Sequence, residues 1–433
     1  MKMQINKKYF CIEFLFFALL LQQLILQYST GIVNQIIGYA DEILALIFLI
    51  KMIINYKIVV KKLSNLELKM LLSYITFSAL GLVSSIANPM QSIFLTFSDM
   101  LICMKFGIFY FYTRTLLKVK IDSVLLIKKL STIAKLLVIL FAFLAIHDII
   151  FTPFFEKADY RYFMYALQLG FGHPTILAAF SITCAVIMMA SLSVRNKKVD
   201  SFTIWIALIL AVLTLRGKAI AVAIAIIVIY ITLFIVKKNA KLFGTLGGAI
   251  AALMAGWDKL SFYFGAAARV RDDFIRAKLL RDSITLANDF FPLGTGYGTF
   301  GSNIAAEHYS PLYVAMGYSA LPGATKENNI LLSDSFWPII IAQFGWIGLF
   351  LFAHFLMGLI RKIFELYKIN KYLFWAGISA IAYEIIASTA ESAFFHPVAM
   401  PLAFVLALII NSGEVEYERN IEGNQSNKMD SRI

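Results

Sequence analysis

The sequence predicts an all-α polytopic membrane protein with about twelve transmembrane helices and one large extracytoplasmic loop that contains short helices. Three observations predict this class. The 433 residues are 60% hydrophobic and only 15% charged, whereas soluble domains carry about 25% charged residues. The apolar residues come in runs close to the ~20 residues that a helix needs to cross a bilayer. The basic residues fall in short clusters between these runs, as in the cytoplasmic loops of membrane proteins.

Twelve apolar runs supply the candidate spans. The first run follows Lys7 and Lys8, is longer than the apolar core of a signal peptide and precedes no small-residue cleavage motif, so we expect an uncleaved helix. The spans cover residues 9–29, 38–56, 69–87, 92–113, 131–151, 174–193, 201–215, 219–236, 242–257, 336–360, 372–390 and 394–411. The chain thus divides into nine helices within 1–257, a loop at 258–335, three helices within 336–411, and a polar tail at 412–433 that is predicted to be disordered.

The positions of the basic residues orient these spans. If the N-terminus lies inside, the inner loops carry most of the lysines and arginines, whereas the outer loops before the large one carry only Lys157, Arg161, Arg216 and Lys218. This asymmetry predicts that both termini are cytoplasmic. It also accounts for the net charge of +13 without a nucleic-acid partner, which would need a basic face on a soluble domain.

The loop at 258–335 changes its charge along its length. Its first part is basic, with Lys259, Arg269, Arg271, Arg276, Lys278 and Arg281, and its remainder is acidic, with Asp282, Asp289, Glu307, Glu327 and Asp334. Within 268–288, apolar residues recur at three- and four-residue spacing and predict an amphipathic helix with a basic face. Such a helix either contacts anionic lipid headgroups or grips a lipid-linked pyrophosphate, since guanidinium groups bind phosphate oxygens in a bidentate fork.

Two further segments bear on a phosphate site. Leu213-Thr-Leu-Arg-Gly-Lys218 is a short outer turn with two basic residues where the topology rule disfavours them. These residues either extend to lipid headgroups or bind phosphate at the membrane face. The glycine-rich segment at 291–301 predicts a tight turn that lets the backbone approach a ligand or a helix. No strand–helix unit surrounds it, so it is not a dinucleotide-binding fingerprint.

Ionisable residues also occur inside the predicted spans. Asp99, Lys105 and Glu384 are costly in lipid, so each is expected to face a cavity or to pair across the helix bundle. Glu391 and His396 lie at the outer end of the last helical hairpin. We expect these two residues to line the same vestibule as the large loop.

Three segments carry a family resemblance. The turn Leu213-Thr-Leu-Arg-Gly-Lys218 is similar to a Thr-x-Ser-Arg-Gly motif that opens a helix on the outer face. The basic helix that leads into Pro292-Leu-Gly-Thr-Gly-Tyr-Gly298 is similar to an Arg…Pro-x-x-Gly-x-Gly motif. Asp334-Ser335, nine residues and then Gly345-Trp-Ile-Gly348 fit His-(Asn/Ser/Gln)-x9-Gly-x-x-(Gly/Thr/Tyr). The chain therefore resembles the O-antigen ligase and O-antigen polymerase (Wzy-type) superfamily of bacterial envelope proteins. Asp334 stands where that family has histidine, which favours the more divergent polymerases.

The resemblance implies a metal-independent, inverting glycosyltransferase of the bacterial cytoplasmic membrane. On the outer face it would transfer glycan from undecaprenyl pyrophosphate to a lipid-linked acceptor, in the synthesis of O-antigen or capsule. Arg216 would stabilise the leaving pyrophosphate, and Asp334 or Glu327 would act as general base. The residues expected to bind substrate are Arg216, Lys218, Arg269, Arg271, Arg276, Arg281 and His308.

The same reading sets the expected cofactors and partners. No cofactor is expected, because arginines can neutralise the leaving group, and His308 is the loop's only histidine, so no metal site is predicted. The implied partners are an undecaprenyl-pyrophosphate-linked oligosaccharide, membrane lipid, a chain-length regulator and a flippase, with no nucleic acid. Two alternatives stay open: a ligase that joins polymer to lipid A core, and a transporter or flippase of the same oligosaccharide. A transporter tends to place its polar residues near the membrane midplane, whereas here they concentrate in an outer loop.

Overall fold

The computed structural model describes residues 2–151, 154–194, 198–235 and 275–430, which are mostly helical. The helices are α1 (Lys2–Leu20), α2 (Gln22–Tyr28), α3 (Gly31–Gly38), α4 (Ala40–Ile54), α5 (Tyr56–Lys62), α6 (Asn65–Ala87), α7 (Ile93–Tyr112), α8 (Lys118–Lys120), α9 (Ser123–Ile150), α10 (Pro174–Ser191), α11 (Lys198–Leu213), α12 (Gly217–Tyr230), α13 (Ile275–Asp289), α14 (Asn303–Glu307), α15 (Pro311–Ala315), α16 (Phe336–Ile369), α17 (Lys371–Ala387) and α18 (Ala399–Asp430). Stretches of π-helix at Thr113–Leu117 and Ile231–Ile235 continue α7 and α12, and 3₁₀ turns occupy Tyr318–Ala320 and Ala393–Phe395. Strands β1 (Tyr160–Arg161) and β2 (Met164–Tyr165) form an antiparallel hairpin between α9 and α10.

Seven of the described helices are long and apolar enough to cross a membrane, and the number rises to nine if each of two bent pairs is one span. The bent pairs are α1 with α2, at 63°, and α4 with α5, at 87°. The predicted spans at 201–215 and 372–390 fall on shorter helices, α11 and α17. The span at 242–257 lies outside the described residues. The protein is therefore an all-α membrane protein, and the count of twelve spans stays a prediction.

The helix connections gather at two ends of the bundle. At one end, the side-chain amide of Asn88 donates to the Gly294 carbonyl (3.3 Å), and that of Gln91 donates to the Gly298 carbonyl (2.9 Å). These bonds fasten the large loop to the turn between α6 and α7. We call this the loop end; it comprises residues 88–92, 154–173, 214–216, 290–335 and 388–398.

The opposite end, which we call the basic end, holds both termini. Lys129 of α9 lies 2.9 Å from Glu13 of α1, and the Asp122 N–H donates to the Tyr9 hydroxyl (3.0 Å). The far part of α18 also reaches this end, where Glu414 contacts Arg114. The start of α1 and the far part of α18 thus lie at one end of the bundle. The side of the membrane that each end faces stays a prediction.

The polar tail after residue 411 differs from the predicted disordered segment. The structure continues α18 as a helix through Asp430. Arg114 donates from Nη2 to Glu414 (2.8 Å), and the Asn370 amide donates to Glu416 (2.9 Å). The polar side chains of the tail therefore bind neighbouring helices, which composition alone does not reveal.

The glycine-rich segment docks against a break in α16. Gly345 has φ +64° within the helix, a conformation that other residues rarely adopt. Beside the break, the carbonyls of Ala342 and Gln343 accept hydrogen bonds from the N–H groups of Thr295 (2.9 Å) and Gly296 (3.0 Å). A Cβ at Gly345 would lie 2.3 Å from a carbonyl oxygen of the glycine-rich segment. Two motifs that the sequence shows separately thus form one structural unit.

Candidate active site

Arg216 lies directly before α12, in a turn whose preceding residue, Leu215, has φ +52°. Its Nη2 lies 3.4 Å from Asp159 Oδ2 and 3.4 Å from His173 Nε2, long distances for charge-assisted hydrogen bonds. Its Nε is buried and has no hydrogen-bond partner among the described residues. The guanidinium therefore has donor capacity left for a ligand.

Two ion pairs lie at the same end of the bundle. Lys218, in the first turn of α12, pairs with Glu391 from the segment between α17 and α18. Arg276, in the first turn of α13, donates from Nη2 to Asp334 Oδ2 (2.7 Å), just before α16. Both pairs stay partly exposed, so a ligand can compete for the lysine and the arginine.

Electrostatic interactions join these residues into one group. The charges of Arg276 and Asp334 act on Glu391, and those of Arg216, Lys218 and Asp334 act on His173. We call the group the loop-end cluster; it consists of Asp159, His173, Arg216, Lys218, Arg276, Asp334 and Glu391. Its members come from segments far apart in the sequence, and the helix bundle brings them together.

The pKa values in the loop-end cluster reflect burial and the charges of neighbouring residues. Burial and the charge of Arg161 lower the pKa of Arg216. Burial and the charges of Arg216 and Lys218 lower the pKa of His173. Burial raises the pKa of Glu391, against the opposing effect of Lys218. An arginine stays protonated at physiological pH, so Arg216 is a cation. Its charge is poorly compensated because Asp159 Oδ2 lies 3.4 Å away, and a bound anion would compensate it.

A cavity of about 250 Å³ opens beside Arg276, between α13, α16 and α17. Its apolar lining includes Trp337, Pro338 and Ile341, and its polar lining includes Ser388 and Thr389. An apolar space with a guanidinium at its edge matches an amphipathic ligand that carries an anionic group.

The structure confirms pairing across the bundle for Lys105, and it gives Asp99 a backbone partner in the large loop. Lys105 bonds to Asp41 (2.5 Å) and Glu42 (2.6 Å) of α4. Asp99 accepts a hydrogen bond from the Gly298 N–H (2.7 Å), so it fixes the glycine-rich segment.

Glu384 and His396 lie near the loop-end cluster. Both carboxyl oxygens of Glu384 are buried and have no hydrogen-bond partner among the described residues. The charges of Lys218 and His173 act on His396, as expected for a residue near the same vestibule.

α13 matches the described part of the predicted amphipathic helix, but its basic residues do not share one role. Lys278 points inward, where it bonds to Asp282 (2.7 Å) and lies over the ring of Tyr318 (4.7 Å). Arg281 Nε lies 3.7 Å from Asp282. Arg281 is five residues from Arg276, about 140° around the helix, so the two arginines project in different directions. Arg276 alone of these three joins the loop-end cluster.

The remaining predicted site residues lie elsewhere. His308 is the exposed residue that ends α14, and Glu327 is exposed in the segment before α16. Within the part of the chain that the structure describes, neither forms a hydrogen bond or ion pair with the loop-end cluster. Arg269 and Arg271 lie outside the described residues.

Sequence reasoning missed His173 and Asp159. His173 is the N-cap of α10 and precedes Pro174 at the first helical position. A histidine before a proline that opens an apolar run is a readable signal for a helix start. Its proximity to Arg216 depends on how the helices pack, which no local pattern shows.

No protein-family model and no curated protein matches this chain. Within the described residues, no group of three or more His, Cys, Asp or Glu side chains is placed to hold a metal ion.

Proposed function

We propose that the protein is a polysaccharide polymerase, a glycosyltransferase that extends O-antigen or capsule repeat units. Its donor is a glycan on undecaprenyl pyrophosphate, and its acceptor is the non-reducing end of another lipid-linked repeat. The reaction takes place at the loop end, on the outer face of the bacterial cytoplasmic membrane.

The observation that carries this proposal is the incompletely bonded guanidinium of Arg216. Its Nε has no partner among the described residues, and its Nη2 contacts are both 3.4 Å. Lys218 and Arg276 supply two more cations in the same cluster. A pyrophosphate offers many acceptor oxygens to such a group of donors, and guanidinium groups match them in a bidentate fork.

The cluster also supplies what a displacement at the anomeric carbon requires. The acceptor hydroxyl attacks the anomeric carbon, and the bond to the pyrophosphate oxygen breaks with inversion. Arg216, Lys218 and Arg276 stabilise the charge that grows on the leaving pyrophosphate. Asp334, one of the two carboxylates that the resemblance implies as general base, lies beside Arg276 and accepts the hydroxyl proton. The cavity beside Arg276 is suited to the first part of the polyprenyl chain.

Purified protein and a chemically defined lipid-linked repeat unit test the proposal. We expect the protein to couple repeats in detergent into a ladder of products, without added metal. Arg216→Ala and Arg269→Ala should shorten or abolish the ladder. Arg361→Ala, which changes an exposed arginine near the basic-end terminus of α16, is the matched control and should leave it intact. Full-length ladders from both Arg216→Ala and Arg269→Ala would rule out the mechanism.

The same assay separates the polymerase from its alternatives. A transporter does not couple repeats in detergent, where no second compartment exists. A gene deletion distinguishes the ligase: loss of a polymerase leaves single repeats attached to the lipid A core, whereas loss of a ligase leaves none attached.

A further inference from the structure

His173 faces the guanidinium of Arg216 at the loop end, and its side chain is partly exposed. As the N-cap of α10, its Nδ1 accepts a hydrogen bond from the Thr175 N–H (3.2 Å). Its Nε2, on the other side of the ring, lies 3.4 Å from Arg216 Nη2.

The bond from Thr175 determines where the imidazole carries its proton. A neutral imidazole has one N–H and one lone pair. Because Nδ1 uses its lone pair to accept from the backbone of Thr175, the proton lies on Nε2. The Nε2–H of His173 and the Nη2–H of Arg216 are then two donors that face each other, and two donors do not bond to one another. An acceptor atom that both N–H groups can reach would bond to both of them.

We propose that His173 is a phosphate-binding residue, whose Nε2–H donates together with the Arg216 guanidinium to the oxygens of a pyrophosphate group. The identification of that group as the pyrophosphate of a polyprenyl donor rests on the proposed function. The exposure of His173 lets the ligand reach it, and Lys218 and Arg276 attract the anion to the same place.

The charges around His173 link this binding to pH. The groups whose charges act on it are Arg216, Lys218, Asp159, Asp334 and His396. Burial and the two cations lower the pKa of His173, and a bound pyrophosphate opposes those cations and raises it. The ligand therefore favours the protonated imidazole, which keeps its Nε2–H but gives up the hydrogen bond that Nδ1 accepts from the Thr175 N–H. Pyrophosphate affinity rises as the pH falls through the pKa of the bound form.

Two substitutions separate the helix cap from the phosphate contact. His173→Asn keeps an oxygen that caps α10 but is too short to reach the position of Nε2. His173→Gln places an amide N–H near that position but does not titrate. The probe is inorganic pyrophosphate, and its affinity for the full-length protein in neutral detergent is measured by titration at about pH 8 and about pH 5.5.

We expect His173→Asn to weaken pyrophosphate binding about 10- to 100-fold, as for the loss of one hydrogen bond to a charged group. His173→Gln should keep most of the affinity at pH 8. The ratio of wild-type to His173→Asn affinity should increase at pH 5.5, because only the wild type carries the imidazole. The ratio is used because it cancels the titration of pyrophosphate itself. The ratio of His173→Gln to His173→Asn affinity should not change with pH.

The outcomes distinguish this inference from the proposed function. Equal affinity of wild type and His173→Asn overturns the role of His173 alone. An absence of wild-type binding overturns both the role and the pyrophosphate site. If binding behaves as expected but the protein couples no repeats, only the proposed function fails. The last comparison uses nanodiscs of phosphatidylcholine with and without phosphatidylglycerol. If the anionic lipid raises the unfolding temperature of the wild type but not of His173→Asn, the site binds a lipid headgroup.

Discussion

The two ends of the molecule each hold an arginine among carboxylates, and the two arginines are bonded in opposite ways. At the basic end, Arg114 is almost fully buried and bonds to Glu67, Glu414 and Asn411. At the loop end, Arg216 makes two contacts of 3.4 Å, and its Nε has no partner among the described residues. We call the first group, together with Lys118, the basic-end network.

The difference separates charges that hold helices together from charges that we propose bind a ligand. A buried ion whose hydrogen bonds are all made has no donor to offer, and the removal of one member leaves the others unpaired. A partly exposed cation with unused donors contributes little to stability and is available for binding. The basic-end network holds α6, α7 and α18 together, whereas the loop-end cluster leaves the Arg216 Nε without a partner among the described residues, and we propose that this cluster binds an anion.

The largest expected effect is on stability, from Arg114→Met. The substitution leaves the buried carboxylate of Glu67 without its cation, which costs about 3–5 kcal/mol. Thermal unfolding in detergent and the yield of folded protein measure this cost. The double variant with Glu67→Gln, which removes the unpaired charge, should recover part of the stability. An unfolding temperature equal to the wild-type value would show that the network is not structural.

The next effect is on activity, from Asp334→Asn. Loss of a general base lowers the coupling rate by at least about 10²-fold, while the unfolding temperature should change little because the ion pair with Arg276 is partly exposed. Glu327→Gln is the comparison, since the sequence proposes both carboxylates and the structure places only Asp334 in the loop-end cluster. A larger loss from Glu327→Gln than from Asp334→Asn would reverse the assignment.

The sequence predicts the helices well and the charge networks poorly, for a physical reason. Apolar runs and positive-inside clusters are local signals, so most predicted spans begin and end near the observed helices. The positive-inside rule treats Arg114 and Lys118 alike, as basic residues of one inner loop. The structure buries Arg114 and leaves Lys118 about 25% exposed. Burial depends on which helices pack together, and that information is not local.

The candidate site shows the same limit. The signals at Arg216 and Asp334 are local: a basic residue in a short outer turn, and the first position of a short motif that the chain shares with a family it resembles. His173 carries no comparable signal, because its contact with Arg216 spans 43 positions of the chain. The glycine-rich segment at 291–301 is predicted to be a tight turn that lets the backbone approach a ligand or a helix, and the hydrogen bond from the Gly296 N–H to the Gln343 carbonyl (3.0 Å) shows that it approaches α16.

A smaller effect is on ligand affinity, from Arg216→Ala. It should weaken the binding of inorganic pyrophosphate by about 10- to 100-fold, the value of a hydrogen bond to a charged group. Arg216→Lys should restore only part of the affinity, because an ammonium group lacks the planar fork. Binding that stabilises the folded protein raises its unfolding temperature, so the ligand-induced shift measures the affinity. An unchanged shift in Arg216→Ala would move the anion site away from α12.

The smallest effect is expected from Lys118→Met, within the same network as Arg114. Lys118 bonds to Glu414, but the two side chains are 25% and 31% exposed, so water already solvates both charges. Such a pair contributes about 0–1 kcal/mol, and its contribution should decrease further in high salt. Glu414 keeps its bonds to Arg114 in this variant. A loss of stability close to that of Arg114→Met would mean that any member of the network costs the same to remove, whether or not it is buried. The contrast between Arg114 and Arg216 would then lose its physical basis.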